Sequence, residues 1–242
     1  MGKPFLVIQL RPEDETADDE LDAIRRYGCL DAAEVTRVRA EIAGLPRIRL
    51  DDYSGVIVGG SPFDVSAEDK SAIQRQIEQD FSRLFEEIEA LDFPFLGCCS
   101  GNGLLGAYCG AVVSKKFGEP VGGAMVTLTE AGKEDPLLEG FPDQIRVLLG
   151  HKEACDEVPP GTTLLIRGER CPVQMFRLKQ NIYATQFHPE GDIAGFTLRI
   201  NVYREHGYFP PGEAATLIQS LQGERLAHSD LILKRFVERY RS

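Results

Sequence analysis

Phe95-Leu96-Gly97-Cys98-Cys99-Ser100-Gly101 is an apolar run ending in a tight turn, with a glycine two residues to either side of Cys99. That spacing is the frame of a nucleophile elbow, in which a reactive side chain projects from a sharp strand-to-helix turn and small flanking residues let the backbone bend and pack closely. Centring the frame on Cys98 puts Leu96 and Ser100 at the flanks, where neither relieves the crowding. Cys99 is therefore the candidate nucleophile, and a helix starting just after it favours a thiolate.

Working outward, Phe5 to Leu10 reads as a buried strand, and Pro12 to Asp22 as an acidic loop or short helix start. Ala32 to Ala43 has helical spacing, with Val35, Val38 and Ile42 on one side. Tyr53 to Gly60 is a β-branched strand ending in a glycine turn. From Ala67 to Leu91 the residues Ile73, Ile77, Phe81, Leu84, Phe85, Ile88 and Leu91 recur every three or four positions, the stripe of an amphipathic helix. Phe93 to Gly97 is the next strand and Gly101 to Gly110 a short helix. Strand, long helix, strand and helix in this order predict an α/β fold with a parallel sheet covered on both faces. Short alternating segments over 111–129 and 145–186 predict added antiparallel strands, and 193–240 reads as helical, broken at Phe209-Pro210-Pro211-Gly212-Glu213.

A second segment complements the elbow. Tyr183-Ala184-Thr185-Gln186-Phe187-His188-Pro189-Glu190 places a histidine and a carboxylate beyond another strand. Cys99, His188 and Glu190 supply the nucleophile, the base and the group that orients the base. The turn Gly59-Gly60-Ser61-Pro62 is a third element: Gly59 and Gly60 are expected to aim backbone N–H groups at an oxyanion, with the Ser100 N–H as second donor.

Composition bounds the remaining possibilities. The chain has 242 residues, 43% of them hydrophobic, enough for one α/β domain over 1–242. A net charge of -11 argues against nucleic acid and anionic membranes as partners. No apolar run approaches a membrane span, and the N-terminal run is too short for a signal peptide. The six cysteines show neither CxxC nor zinc-type spacing, so a reduced, cytoplasmic protein without metal is expected. No dinucleotide or P-loop pattern is present, so the chain shows no ATP site of its own.

Together, Gly59-Gly60-Ser61-Pro62, Pro94 to Gly101 and Gln186-Phe187-His188-Pro189-Glu190 resemble the class I glutamine amidotransferase family. Gly150-His151-Lys152-Glu153, Val158 to Gly161 and Cys171 to Phe176 also look like family segments, in the family order. The C-terminal part, including Gly207-Tyr208-Phe209-Pro210-Pro211, is similar to free-standing proteins akin to the amidotransferase domain of GMP synthase. The resemblance implies a flavodoxin-like, doubly wound, mostly parallel sheet over about residues 1–190, with a helical C-terminal extension over about 191–242. It implies that Cys99 attacks the amide of glutamine to form a thioester, that His188 moves the proton, that ammonia passes to a separate synthetase chain, and that no metal or organic cofactor is needed for this half-reaction. The family's usual glutamine two residues after the second elbow glycine is here Gly103, preceded by Asn102, a candidate substrate contact. That departure keeps two alternatives in view: a γ-glutamyl peptidase or hydrolase with the same triad, and a non-catalytic regulatory or binding subunit.

Overall fold

The computed structural model describes residues 2–205, 209–210 and 212–242. Gly207, Tyr208 and Pro211 of the C-terminal motif lie outside the described residues. The strands are β1 (Phe5–Gln9), β2 (Val35–Arg39), β3 (Gly55–Val58), β4 (Phe95–Cys98), β5 (Val113–Ser114), β6 (Glu119–Leu128), β7 (Gln144–His151), β8 (Ala154–Cys155), β9 (Thr162–Gly168), β10 (Met175–Leu178) and β11 (Ile182–Thr185). The helices are α1 (Asp14–Gly28), α2 (Ala40–Ala43), α3 (Ala72–Leu91), α4 (Ser100–Tyr108), α5 (Glu130–Lys133), α6 (Ile193–Val202), α7 (Ala214–Leu221) and α8 (Ser229–Tyr240).

One nine-stranded sheet runs β2-β1-β3-β4-β11-β10-β9-β6-β7. β2, β1, β3, β4 and β11 pair in parallel, and from β11 onward every pairing is antiparallel. The sheet is flavodoxin-like at its parallel end. β1, β3, β4 and β11 are buried along their whole length, so their sequences are continuous apolar runs rather than alternating ones. The pleat divides them between two cores. Phe5, Val7, Ile57 and Leu96 meet Ile24 of α1 and Phe236 and Val237 of α8. Leu6, Ile8, Val56, Val58 and Phe95 meet Ile77, Phe81, Phe85 and Ile88 of α3 and Leu104 and Leu105 of α4 on the opposite face. A third cluster seats Phe196 and Ile200 of α6 and Leu221 of α7 against Leu148 of β7.

Three expectations need correction. The Ala32–Ala43 segment is not one helix but has a strand at its centre, after a 3-10 turn over Ala32–Glu34. Val35 to Arg39 pairs in parallel with β1, and only Ala40–Ala43 is α-helical. Val35 and Val38 pack on opposite faces of the sheet, so the spacing that mimicked a helical side joins two different cores. Of the two readings of the acidic 12–22 segment, the helix start holds: it opens the 15-residue α1, with Asp14 and Glu15 in its first turn and Arg25 and Arg26 in its last, matching the helix dipole. Helix α3 starts at Ala72, not Ala67, where the Ser71 hydroxyl accepts from the Gln74 N–H. Leu91 ends the helix 63% exposed, outside the expected stripe. β11 belongs to the parallel half, paired with β4. No helix among the described residues is long and apolar enough to cross a membrane.

Candidate active site

The site lies past the carboxyl ends of four neighbouring parallel strands, β1, β3, β4 and β11, where open α/β sheets place their ligands. Cys99 stands between β4 and α4 with φ 56° and ψ -93°, a conformation that L-residues rarely adopt. Its N–H donates to the Thr185 carbonyl at 2.8 Å, and its carbonyl accepts from the Asn102 N–H at 2.9 Å. A Cβ at position 97 would lie 2.8 Å from the Gly101 carbonyl carbon, so the turn closes only on glycine there. The Ser100 hydroxyl donates to the Gly59 carbonyl at 2.8 Å, tying the start of α4 to the turn after β3. Cys98 is fully buried in the core, where burial and then the charges of Glu190 and Glu20 push its thiol well above the ordinary range. Cys99 instead opens on the cleft.

Strand β11 delivers the partners. Thr185 is in register with Cys98, so the chain beyond it emerges beside the elbow. The Gln186 N–H donates to the Gln174 carbonyl at 2.8 Å, and the His188 N–H to the Leu148 carbonyl at 3.0 Å, fixing the segment. His188 Nδ1 lies 2.6 Å from Glu190 Oε1, and its ring hydrogen-bonds Cys99. The edge of Phe196 packs on the ring at 5.3 Å. Burial by itself lowers the His188 pKa; the charges and hydrogen bonds of Glu190 and Cys99 overcome it and hold the ring at about 9. Burial by itself raises Glu190; His188 and then Arg199 pull it down to about 2. The pair is thus an imidazolium held by a carboxylate, with the Arg199 Nη2 3.5 Å from Glu190 Oε1 and the Arg199 Nη1 3.4 Å from His188 Nδ1.

Two clefts meet at Cys99, and Ser61 and Gly150 border both. One is walled by Val121, His188, Phe196, Ile200, Tyr203 and Phe209, with Arg11 and Arg199 as its charged groups. The other is polar, walled by Asp64, Ser100, Gly103, His151, Lys152 and Glu153. Glu153 accepts from the Val65 and Ser66 N–H groups at 2.6 and 2.8 Å, closing a loop over that cleft.

The profile of the family described as glutamine amidotransferase class-I matches residues 20–197. The chain belongs to that family. Its relatives include a subunit of glutamine-hydrolyzing GMP synthase from Pyrococcus abyssi, 30% identical over 147 residues that are 60% of this chain and 71% of that one. They also include the glutamine-hydrolyzing GMP synthase of Streptococcus thermophilus, 29% identical over 180 residues. That match takes in 69% of this chain and 29% of the synthase's length. Among solved structures, a glutamine amidotransferase from Thermotoga maritima superposes with a TM-score of 0.77 at 22% identity, covering 98% of this chain and all of that one.

Within this class I amidotransferase chain, two predicted roles change. The Gly59 N–H donates to the Ile8 carbonyl at 3.1 Å and the Gly60 N–H to Glu20 Oε2 at 2.9 Å, so neither points an N–H at the cleft. Gly60 is instead needed for clearance: a Cβ there would lie 2.3 Å from Arg11 Nη2 and 2.9 Å from His188 Cε1. Asn102 is fully buried, and its Oδ1 faces the Cys155 thiol at 3.5 Å, away from both clefts. Gly103 takes its place at the polar wall.

Residues that sequence reading passed over complete the surroundings. Glu20 is buried and accepts from Arg11 Nε at 2.6 Å and Gln9 Nε2 at 3.1 Å as well as from Gly60. The Arg11 Nη1 reaches the Tyr203 hydroxyl at 3.3 Å. Arg11 and Glu20 stand only 9 residues apart, with Arg199 far downstream, and none of the three carries a local motif. The one local trace is the apolar face of α1, which turns Glu20 inward together with Ala17, Ala23 and Ile24.

Proposed function

We propose that the protein hydrolyses the side-chain amide of glutamine through a thioester on Cys99. With His188 already holding the proton as an imidazolium, the sulfur attacks the amide carbon as the thiolate of an ion pair. The Ser100 N–H at the start of α4 is the natural donor to the resulting oxyanion, and Ser61, bordering both clefts beside Cys99, stands on the other side. His188 then gives its proton to the departing nitrogen, releasing ammonia. Water, deprotonated by the same ring, hydrolyses the thioester to glutamate, and the departing thiolate beside the reprotonated His188 restores the resting pair. Glu190 keeps the imidazole oriented throughout, as the third member of such triads does.

The observation that carries this reading is His188, held by Glu190 at 2.6 Å, hydrogen-bonding a cysteine strained out of its strand onto the cleft. The relatives named for glutamine-hydrolyzing GMP synthase, one of them a separate component of that enzyme, support delivery of the ammonia to a separate synthetase chain. The test is mass spectrometry after reaction with a glutamine-like diazoketone, alongside glutamate release from glutamine. A single adduct on Cys99, blocked by excess glutamine, is the expected result; an unlabelled Cys99 that a small alkylating agent still modifies would overturn it.

One observation favours a second reading, γ-glutamyl peptide hydrolysis. Gly103 leaves the polar wall without a side chain, and a second cleft on the far side of Cys99 offers room for a leaving group larger than ammonia. Comparing kcat/KM for glutamine with that for γ-glutamyl dipeptides separates the two.

A further inference from the structure

A second constellation of reactive side chains lies behind the polar cleft. Glu119 opens β6, His151 closes β7 opposite it in the sheet register, and Cys171 sits in the turn between β9 and β10. All three are buried, and their ligating atoms lie within 4.8 Å of one another. They come from three separate stretches, so no zinc-type spacing exists in the sequence.

Hydrogen bonding makes the cluster unusual. His151 Nδ1 is 2.9 Å from the Glu153 carbonyl oxygen, which can only accept, so Nδ1 carries a hydrogen. In the neutral ring Nε2 is then a lone pair, and it faces Glu119 Oε2 at 3.1 Å. Two acceptors meet at that distance only across a positive charge, either a proton or a metal ion. Gln174, fully buried, donates from Nε2 to the same Glu119 oxygen at 2.7 Å, while its own Oε1 is buried with no partner. Rotating that amide exchanges its two ends and brings a fourth ligand atom to the cluster.

We propose that Glu119, His151 and Cys171, with Gln174 Oε1 as fourth ligand, form a structural zinc site. One thiolate, one imidazole and two oxygens suit four-coordinate zinc better than magnesium or calcium, which prefer oxygen alone. The charges close: Zn²⁺ against one thiolate and one carboxylate is neutral, as a buried site requires. The Nδ1–H bond to a backbone carbonyl is the support that orients metal-bound histidines. On binding, the Cys171 thiol proton and the proton between His151 and Glu119 are released to solvent, two protons per ion. With four protein ligands no position stays open for substrate, so the ion braces the β6–β7 end and the β9–β10 turn behind His151, Lys152 and Glu153. This site is independent of the proposed reaction.

The test uses the full chain carrying Cys99→Ala, which removes the cleft thiol as a competing ligand. Protein from zinc-supplemented cells is expected to hold close to one zinc per chain by elemental analysis. Reloading the stripped protein with zinc should raise the melting temperature by roughly 5 °C. Cobalt(II) in place of zinc should give a thiolate-to-cobalt absorption band that is absent in Cys171→Ser. Gln174→Ala, which keeps three ligands, should weaken zinc by about tenfold or more, so the proposal stands or falls even where Cys171→Ser does not fold. Metal below one-tenth per chain with no thermal response would overturn it, as would zinc binding unchanged by either substitution.

Discussion

Among the described residues, two histidine–glutamate pairs of nearly the same composition are buried. In one, Glu190 takes His188 Nδ1 at 2.6 Å, and the ring is left to hydrogen-bond a thiol at the edge of a cleft. In the other, a backbone carbonyl takes His151 Nδ1 at 2.9 Å, and Nε2 is turned onto Glu119 inside the protein. The difference lies in which nitrogen the protein occupies first. A carboxylate on Nδ1 makes a base with an outward-facing partner. A carbonyl on Nδ1 makes a ring whose remaining lone pair faces a second acceptor. Residue type alone does not tell the two apart; the bond on the far nitrogen does.

The contrast can be broken at its strongest point. Cys99→Ala is expected to lower glutamine turnover by ~10³-fold or more with the circular dichroism spectrum unchanged, whereas Cys171→Ser leaves the acyl-transfer groups in place. Full activity in Cys99→Ala would remove the assignment of the nucleophile. Glu190→Gln comes next, at about 10²-fold or more in kcat, with a signature in pH. A ring raised to about 9 holds the proton for the leaving nitrogen, so kcat/KM should fall above that pH in the wild type. In Glu190→Gln the fall should move toward lower pH, and a limb that stays in place would show that Glu190 does not set it.

Stability sharpens the same pair. The His188 pKa is raised from 6.5 to about 9. Its stabilisation is therefore complete below pH 6.5 and lost as the pH climbs through 9. The Glu190 pKa is lowered from 4.5 to about 2, so the contribution of the same ion pair is complete above pH 4.5 and lost on acidification toward 2. Melting temperature against pH should decline on both flanks, and Glu190→Gln should flatten both.

Gly60→Ala is a milder probe. The added carbon meets Arg11 and His188, and we expect a drop of about tenfold in kcat with a loss of roughly 1–3 kcal/mol from overpacking. Denaturant melts with parallel kinetics separate those effects. Gly103→Ala is the smallest: its Cβ would meet only Val65 and Glu153 at ordinary contact distances of 3.5 and 3.7 Å, so α4 should gain up to about 1 kcal/mol. A loss of stability there would show the polar wall to be tighter than its contacts indicate.

Much of this was legible from residue order. The elbow around Cys99 and the sequel His188-Pro189-Glu190 are local patterns, and the apolar runs of β1, β3 and β4 mark strands buried on both faces. Val35 and Val38 misled because three-residue spacing looks helical when their opposite faces are not known. Glu20 and Arg11 stayed hidden because their meaning is a buried ion pair that forms only once β1 and α1 pack together. Gly59 and Gly60 were found in the right place but given the wrong task. A pair of glycines signals close approach, and sequence cannot say whether a substrate or a neighbouring side chain is what approaches. The cluster at Cys171 left no sequence trace, since its members meet through sheet register alone.

Cys99 and His188 hang from adjacent strands, and the Cys99 N–H bonds the last residue of β11. Their alignment is thus inherited from the hydrogen-bond ladder at the centre of the sheet rather than from a mobile lid. Heat cannot part the two groups without opening the most buried part of the protein. Loss of turnover on warming should then coincide with loss of the fold, without a cooler phase in which an intact protein has already fallen silent.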